Sequence, residues 1–294
     1  MSGAPTRWLV TGAAGQLGTD LCAVLAEAGI AHTALRRADL DVTDPSTVKD
    51  AVAGHDVVVN AAAWTNVDAA ETDEAAATAV NGDGVRHLAA ACAATGARLL
   101  HVSTDYVFPG DADTPYAEDA PTDPINAYGR SKLAGENAVR ELLPDTGYIV
   151  RTAWLYGAHG PNFVRTMLRL AAVRETVDVV DDQLGQPTWS YELARQLHLL
   201  GTAVLQGAPV PAGVYHGTCT GETTWYGLAR AVFAGAGLDP ARVRPTTSDV
   251  YVRPAKRPSY SVLGHDRWAA AGLPPMDPWD RTLETALPAL LTAG

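Results

Sequence analysis

The sequence predicts an α/β fold built on a doubly wound parallel sheet. Short apolar runs recur through the first half of the chain, Ala-, Leu- and Glu-rich segments with helical spacing separate them, and a glycine-rich turn follows the first run. Short runs that are apolar throughout are typical of parallel strands buried on both faces. Strands that alternate with helices favour a doubly wound sheet, whose ligands bind at the carboxyl ends of the strands.

The first half of the chain supplies most of this pattern. The predicted strands are Trp8–Val10, Ala31–Leu35, Val57–Val59, Leu99–Val102 and Ile149–Val150. The segments with helical spacing are Gln16–Glu27, Val48–Val52, Asp73–Thr95 and Ala127–Leu142. We therefore expect residues 1–151 to form a dinucleotide-binding domain.

After about Thr152 the alternation is less regular. The strand candidates and helical stretches here are Val177–Val180, Gly213–His216, Phe163–Ala172 and Ser190–Leu205. Proline is frequent from Pro209 onward, which indicates ordered turns more than long helices. We expect residues 152–294 to form a second, smaller mixed α/β domain that binds substrate, with some segments returning to the first domain.

Composition limits the classes of function. With 294 residues, of which 47% are hydrophobic, the chain can bury a sizeable core. Its net charge of −11 is spread along the sequence, which does not suit a nucleic-acid partner, and an anionic substrate would need local clusters of arginine. Met1–Arg7 lacks the pattern of a secretory signal, and no apolar stretch approaches the roughly 20 residues of a membrane span. We expect a cytoplasmic protein without a membrane partner.

The three cysteines, Cys22, Cys92 and Cys219, lie far apart and form no C-x-x-C pair. This spacing predicts neither a disulfide framework nor a zinc site. We expect each of them to be a small hydrophobic residue of the core.

A glycine-rich turn joins the first predicted strand to the first predicted helix. Gly12, Gly15 and Gly18 form the pattern G-x-x-G-x-x-G. Glycine allows a tight turn and lets a pyrophosphate approach backbone N–H groups at the positive end of a helix. The spacing alone equally suits an ordinary turn, and it is the position between strand and helix that favours a dinucleotide.

The end of the second predicted strand bears on the choice of cofactor. Arg36 and Arg37 stand where an acidic residue would hold the ribose hydroxyls of NAD. Guanidinium groups suit a 2′-phosphate, so the sequence favours NADPH, with NADH possible, although both arginines could equally be solvated surface residues. In the turn that follows, Asp44 could be the cap of the next helix.

Two further strand ends carry candidate residues. The third strand ends in the small residues of N-A-A-A-W-T, which would let backbone pass close to a dinucleotide or would simply pack helices onto the sheet. The fourth ends in Ser103, Thr104 and Asp105, which places hydroxyls and a carboxylate at the expected catalytic edge.

Tyr128 and Lys132 are spaced i, i+4 on a predicted helix and therefore share a face. An ammonium close to a phenol favours its ionised form, so we expect Lys132 to lower the pKa of Tyr128 and make it a usable proton donor. Such a pair on its own is commonly a surface pair, and the glycine turn and the S-T-D strand end favour the catalytic role.

With these residues in place, the chain resembles the extended short-chain dehydrogenases and, more specifically, the dTDP-4-dehydrorhamnose reductase family. The likeness spans nearly the whole chain and includes N-A-A-A-W-T-N-V-D-A-A-E and H-V-S-T-D-Y-V-F. The segments R-T-A-W-L-Y, D-D-Q-L-G-Q-P-T and R-P-A-K-R-P-S-Y-S are the specific ones, because they face the substrate, where members of the wider superfamily differ. The resemblance implies a Rossmann-like fold and reduction of a nucleotide-sugar 4-ketone.

The resemblance also implies roles for individual residues. Those expected to bind the cofactor are Gly12, Gly15, Gln16, Leu17, Gly18, Arg36, Arg37, Asp41, Val42, Ala63, Trp64, Thr65, Tyr128 and Lys132. Those expected to contact the substrate are Thr104, Asp105, Trp154, Arg253 and Arg257, the two arginines at its diphosphate. Thr104, Tyr128 and Lys132 would carry the chemistry. Some family members hold magnesium between subunits, but Leu287–Leu291 supplies no carboxylate for it, so we expect no metal and a monomer or homodimer.

The leading hypothesis is NADPH-dependent reduction of dTDP-4-dehydro-L-rhamnose to dTDP-L-rhamnose. A related reductase of secondary metabolism, such as dTDP-dihydrostreptose synthase, would share every residue named so far and differ in its product. An epimerase or dehydratase could use the same scaffold, but Asp105-Tyr106 is not the acidic pair that a dehydratase needs beside its hydroxyl residue. A non-enzymatic regulatory subunit, like the beta subunit of methionine adenosyltransferase, would often lack one of Thr104, Tyr128 and Lys132.

Overall fold

The structure, a computed structural model, describes residues 6–292. Residues 1–5, part of the segment in which no secretory signal is recognised, lie outside the described residues. The helices are α1 (Gln16–Glu27), α2 (Pro45–Val52), α3 (Val67–Ala70), α4 (Glu74–Thr78), α5 (Gly84–Thr95), α6 (Ala127–Leu142), α7 (Phe163–Val173), α8 (Ser190–Leu205), α9 (Trp225–Gly235), α10 (Asp266–Ala270) and α11 (Trp279–Thr292). The first five strands are β1 (Trp8–Thr11), β2 (His32–Leu35), β3 (Val57–Asn60), β4 (Arg98–Thr104) and β5 (Gly147–Thr152). The later strands are β6 (Leu155–Tyr156), β7 (Val177–Val180), β8 (Leu184–Gly185), β9 (Thr188–Trp189), β10 (Gly213–His216), β11 (Cys219–Thr220), β12 (Thr223–Thr224), β13 (Val243–Thr246) and β14 (Met276–Pro278).

A six-stranded sheet with the order β10-β5-β4-β3-β1-β2 forms the centre of the molecule. Every pair of neighbours in it is parallel. The chain adds β2 on one side of β1 and β3 on the other, so the strand order reverses between β1 and β3. The predicted doubly wound sheet is confirmed, and this reversal opens a crevice at the carboxyl ends of the strands, where ligands bind in such folds.

The strands alternate between two hydrophobic cores, one on each face of the sheet. In β1, Trp8 and Val10 pack against α1 and α8, whereas Leu9 packs on the opposite face against α2 and α5. In β3, Val58 likewise faces away from Val57 and Val59. This alternation follows from the two-residue period of a strand, and it explains why the runs are apolar throughout.

The second half of the chain forms its own core and also returns to the sheet. Helices α7, α9 and α11 pack with β7 and β13 in a separate hydrophobic cluster. Helix α8 packs in the same core as α1, and β10 pairs with β5 in the central sheet. These two elements are the segments that return to the first half of the chain, and the division between residues 151 and 152 stays a prediction.

Two helices differ from the predicted ranges. The segment Asp73–Thr95 is not one regular α-helix, because a π-helical turn at Ala79–Asp83 separates α4 from α5. The helix expected at Val48–Val52 begins earlier, at Pro45, and Asp44 caps it by accepting a hydrogen bond from the Ser46 N–H at 2.9 Å. The capping role considered for Asp44 is therefore the one observed.

The three cysteines carry free thiols, with Cys92 and Cys219 buried and Cys22 partly buried. All three pack against the hydrophobic cores on the two faces of the sheet, as expected. Among residues 6–292, no helix is long and apolar enough to cross a membrane.

A buried ion pair fixes α6 to the sheet. Glu136 of α6 and Arg151 of β5 are 0% and 1% exposed, and the Arg151 Nε and Nη2 atoms donate to the carboxylate at 2.9 and 2.8 Å. The Ser103 hydroxyl of β4 donates to the same carboxylate at 2.7 Å. Hydrogen bonds from Arg151 hold the pKa of Glu136 below its ordinary value despite burial, which works in the opposite direction. Glu136 is therefore charged, paired and in contact with two strands.

Replacing Glu136 with Ala leaves Arg151 buried without its carboxylate, and we expect the free energy of unfolding to fall by about 3–5 kcal/mol in urea denaturation. The matched control is Glu141→Ala on the same helix, because Glu141 pairs with Arg86 at the surface, where the side chains are 60% and 46% exposed. That control is expected to change the free energy of unfolding far less, because water and salt screen an exposed pair. Equal losses in the two variants would contradict a special role for the buried pair.

Candidate active site

The glycine-rich turn lies at the crevice between β1 and β3. Gly12 has a φ of 68°, and a Cβ there would stand 2.6 Å from the Ala62 backbone nitrogen, so a side chain does not fit. Gly15 precedes α1 and supplies no side-chain cap, so the first N–H groups of the helix, those of Gln16 and Leu17, have no intrahelical acceptor. Free N–H groups at a helix amino end attract anions, so these residues fit the pyrophosphate of a dinucleotide.

The two arginines after β2 occupy different environments. Arg36 donates from Nε and Nη2 to Asp39 at 2.8 and 3.2 Å. Arg37 is exposed and, among the described residues, has no carboxylate within 4.0 Å, although its charge contributes to lowering the pKa of Asp41. Asp41 is engaged by the Thr43 N–H and hydroxyl at 3.0 and 2.8 Å, which lowers its pKa, and Val42 is buried. Of the two guanidinium groups, Arg37 is the one available to a phosphate.

The strand end at Ala63, Trp64 and Thr65 is held by one buried side chain. Asn81, in the π-helical turn, accepts a hydrogen bond from the Trp64 N–H at 2.9 Å and donates to the Trp64 carbonyl at 3.0 Å. It also donates to the Ser131 hydroxyl on α6 at 2.9 Å. Asn81 thus joins the expected cofactor edge to the helix that carries Tyr128 and Lys132.

Helix α6 starts at the carboxyl edge of the sheet. Asn126 caps it by accepting from the Gly129 N–H at 2.8 Å, and Glu71 accepts from the Ala127 N–H at 2.8 Å. Tyr128 and Lys132 lie one turn apart, on the same side of the helix as Glu136. The ion pair of Glu136 therefore orients both residues toward the sheet.

The prediction that Lys132 lowers the pKa of Tyr128 is wrong for this structure. The Lys132 ammonium donates to the Val102 carbonyl at 2.7 Å, and burial lowers its pKa to about 8. Burial and the nearby Asp105 carboxylate raise the pKa of Tyr128, while a hydrogen bond with Thr104 works in the opposite direction. The phenol therefore keeps its proton at neutral pH.

Thr104 and Asp105 lie beside Tyr128 and are only 5% and 2% exposed. The Thr104 hydroxyl donates to Asp105 Oδ1 at 2.9 Å. Burial raises the pKa of Asp105 to about 6, although the hydroxyls of Ser261 and Thr104 favour its charged form. A hydroxyl, a carboxyl group and a protonated phenol therefore meet at the end of β4.

A cavity of about 660 Å³ opens next to this cluster, between α7, β7, α9 and the segment that follows β13. Tyr106, whose ring stands edge-on to Tyr128 at 5.7 Å between centroids, forms part of its wall. Arg253 and Arg257 also line it. The cavity therefore combines aromatic and cationic walls and adjoins the phenol of Tyr128 through Tyr106.

Trp154 backs this cavity and does not line it. Its ring stacks on Trp225 with centroids 3.6 Å apart and an interplanar angle of 10°, and Trp225 is in the wall. Trp154 has a φ of 46°, a conformation that costs a bulky residue about 1–3 kcal/mol and that persists where packing enforces it. Gly185 makes room for the indole, because a Cβ there would stand 2.6 Å from the ring.

Several residues of the site carried no recognised role in the sequence. Tyr106 and Trp225 line the cavity, Asn81 holds the strand end, and Asp68 pairs with Arg257 at 2.9 Å. Asp68 stands within a segment shared with the family, which was a usable signal, whereas nothing local distinguishes Trp225 from a core aromatic. Among residues 6–292, no cluster of three or more His, Cys, Asp or Glu side chains could hold a metal ion.

Comparisons with known proteins agree with this arrangement. A family model described as the RmlD substrate binding domain matches residues 6–292. The chain is 60% identical over 286 residues to a dTDP-4-dehydrorhamnose reductase of Streptomyces griseus, covering 97% of this chain and 94% of the relative. It is 56% identical over 286 residues to a dTDP-4-keto-6-deoxy-D-glucose reductase of Streptomyces niveus, covering 97% of each chain.

Among solved structures, the dTDP-4-dehydrorhamnose reductase of Bacillus anthracis, crystallised in complex with NADP, superimposes with a TM-score of 0.91. It is 37% identical, and the match covers 96% of this chain and 99% of that one. The family model, the identities over nearly full length and the shared fold agree with the residues found at the carboxyl edge of the sheet. The chain therefore belongs to the dTDP-4-dehydrorhamnose reductase family of oxidoreductases, within the extended short-chain dehydrogenases.

Proposed function

We propose that the protein reduces the C4 ketone of a dTDP-4-dehydro-6-deoxyhexose with NADPH, converting dTDP-4-dehydro-L-rhamnose to dTDP-L-rhamnose. One observation supports this most strongly. The protonated phenol of Tyr128 stands edge-on to Tyr106, which lines the same cavity as Arg253 and Arg257. A proton donor in that position can act on a sugar whose diphosphate the arginines hold.

The side chains of the protein account for the proton transfer and for the stabilisation of charge during the reaction. When bound, NADPH supplies the hydride that reaches C4. Tyr128 donates its proton to the C4 oxygen as negative charge builds on it, because an alkoxide is a far stronger base than a phenolate. Thr104, whose hydroxyl donates to Asp105 in the structure, would turn this proton to that oxygen. The Lys132 ammonium donates to the Val102 carbonyl, so it would act on the remaining tyrosinate only through its positive charge. Asp105 contacts the sugar.

The residues present fit NADPH better than NADH. The glycine turn offers backbone N–H groups to the pyrophosphate, and Arg37 has no competing ion pair among the described residues. The Bacillus anthracis relative crystallised with NADP has the same fold. These observations support a 2′-phosphate contact by Arg37, with Arg36 held aside by Asp39.

A second candidate function is the same reduction of a 4-ketone on a different dTDP-linked sugar. The relative from Streptomyces niveus is named for reduction of dTDP-4-keto-6-deoxy-D-glucose. This name supports a related reductase of secondary metabolism, of which dTDP-dihydrostreptose synthase is another example. The test is to supply dTDP-4-dehydro-L-rhamnose and NADPH, follow NADPH oxidation and identify the product by NMR. A rhamnose product supports the first candidate, and a ring-contracted sugar supports dihydrostreptose synthesis. The absence of oxidation contradicts both of these, and dTDP-4-keto-6-deoxy-D-glucose is then supplied to test the activity for which the Streptomyces niveus relative is named.

Replacing Tyr128 with Phe removes the proton donor and leaves the ring, so we expect turnover to fall by about 10²–10⁴-fold while NADPH affinity changes little. Turnover is measured by NADPH oxidation and affinity by calorimetry. Tyr148→Phe is the control, because the Tyr148 hydroxyl lies in the core near the Val210 carbonyl. Wild-type turnover in the Tyr128→Phe variant would show that Tyr128 is not the proton donor.

Replacing Arg37 with Ala is expected to lower the preference for NADPH over NADH about tenfold, through a higher KM for NADPH alone, since one charged hydrogen bond to phosphate is lost. Arg36→Ala is the control, and we expect a smaller change because Arg36 already pairs with Asp39. KM values for both cofactors are measured in each variant. An unchanged preference in Arg37→Ala would show that the 2′-phosphate is bound elsewhere.

Asp105 should make the stability depend on pH. Its pKa rises from 3.8 to about 6 on folding, so the folded state binds the proton more tightly and stability falls as pH rises through that interval. In Asp105→Asn this titration is absent. Relative to the wild type, we expect the variant to gain about 2 kcal/mol in unfolding free energy between pH 4 and pH 7.

Urea denaturation at several pH values measures this difference, with Asp123→Asn at an exposed position as the control. A difference between Asp105→Asn and the wild type that stays constant with pH would contradict the buried titration.

A further inference from the structure

Helix α3 stands between the expected cofactor edge and the arginines of the cavity. It begins directly after Trp64, Thr65 and Asn66, and it carries Asp68. Asp68 Oδ1 accepts from Arg257 Nη1 at 2.9 Å and from the Ala255 N–H at 3.2 Å. One carboxylate in the first half of the chain therefore contacts the segment that supplies both arginines of the cavity.

Few other hydrogen bonds hold residues 248–257, the stretch that carries both arginines and is called the arginine segment. At its start, the Ser248 N–H and hydroxyl donate to Asp182 at 2.8 and 2.7 Å. Near its end, Asn126 donates to the Lys256 carbonyl at 3.0 Å. Between these points Tyr251 and Val252 are 47% and 86% exposed. Among the described residues, Asp68 and Asn126 therefore supply the side-chain hydrogen bonds that reach residues 250–257 from elsewhere in the chain, and Ala255 adds a buried anchor.

The two arginines differ in how firmly Asp68 holds them. The Arg257 side chain is 20% exposed and also donates to the Ala255 carbonyl at 2.8 Å. Arg253 is 63% exposed, and its Nη1 atom lies 3.7 Å from Asp68 Oδ2. Burial works against ionisation, yet hydrogen bonds from Arg257 and Ala255 lower the pKa of Asp68, so it is charged.

Arg253 and Arg257 face a single carboxylate, so their side of the cavity keeps a net positive charge. Arg174 adds a cation to the lining, and Asp178, the acidic residue of the lining, is paired with Arg244. This matters in a protein with a net charge of −11, since a diphosphate would otherwise meet a repulsive field. A guanidinium has five N–H donors, and Asp68 and Ala255 occupy Nη1 of Arg257. The remaining donors are available to a phosphate.

We propose that Asp68 is a positioning residue of the diphosphate site, which fixes Arg257 in the cavity wall and holds the segment that carries Arg253. This inference rests on the proposed function, because the diphosphate belongs to the nucleotide sugar. Asp68 acts through Arg257 and does not touch the reacting atoms. Its loss therefore weakens nucleotide binding and leaves the chemical step and the cofactor crevice intact.

The test is calorimetric titration of dTDP and of NADPH into wild-type protein and variants, together with steady-state kinetics. Asp68→Ala is expected to weaken dTDP binding about tenfold and to raise KM for the nucleotide sugar similarly, with kcat and NADPH affinity close to wild type. Asp68→Asn keeps the acceptor oxygen and should restore part of the affinity. Glu74→Ala is the control, because Glu74 pairs with Arg130 at the surface nearby.

A double variant tests whether Asp68 acts through Arg257. Asp68→Ala with Arg257→Ala should lose less dTDP affinity than the sum of the two single losses, because part of the effect of Asp68 acts through Arg257, whereas fully additive losses would overturn the proposal. Unchanged dTDP affinity in Asp68→Ala would also overturn it, and retained NADPH binding shows that each variant is folded. If wild-type protein binds dTDP but reduces no ketosugar, the proposed function fails and the role of Asp68 stands. If the wild type does not bind dTDP, both fail.

Discussion

The site depends on the buried contact between Glu136 and Arg151. It joins α6 to β5, and the Ser103 hydroxyl adds β4 to the same carboxylate. Lys132 and Tyr128 lie one and two turns earlier on α6, so fixing Glu136 also fixes their distance from the end of β4. A buried pair is often no more stabilising than apolar packing, but its hydrogen bonds allow only one arrangement of the partners. Here that arrangement places a phenol at the catalytic edge.

The carboxyl edge of the central sheet also holds several groups that are costly to bury. Asp105 and Lys132 are each 2% exposed, and burial shifts the pKa of each toward the neutral form. The left-handed backbone of Trp154 adds strain beside the cavity. Functional sites commonly carry such costs, which the surrounding core offsets. The apolar cores on both faces of the sheet provide this support, and they leave the carboxyl ends of the strands free to hold polar groups.

Two polar side chains connect parts of the site that come from distant segments. Asn81 ties the backbone of Trp64 to Ser131 on α6, and Asp68 ties the following helix to Arg257. Asn81 contacts the segment that follows β3, and Asp68 lies on the helix that comes after that segment. Separate short contacts therefore fix the backbone of Trp64 to α6 and the arginine segment to α3.

The sequence by itself determined the doubly wound fold, the order of its first elements and the cluster at the catalytic edge, because strand and helix periodicity and the glycine turn are local signals. It did not determine the protonation of Tyr128, since that depends on burial and on Asp105, nor the unequal roles of Arg36 and Arg37, which depend on Asp39. The π-helical turn and the return of β10 to the central sheet were also decided by tertiary contacts. Asp68 meets Arg257 across 189 positions of sequence, and only the folded chain brings such distant charges together.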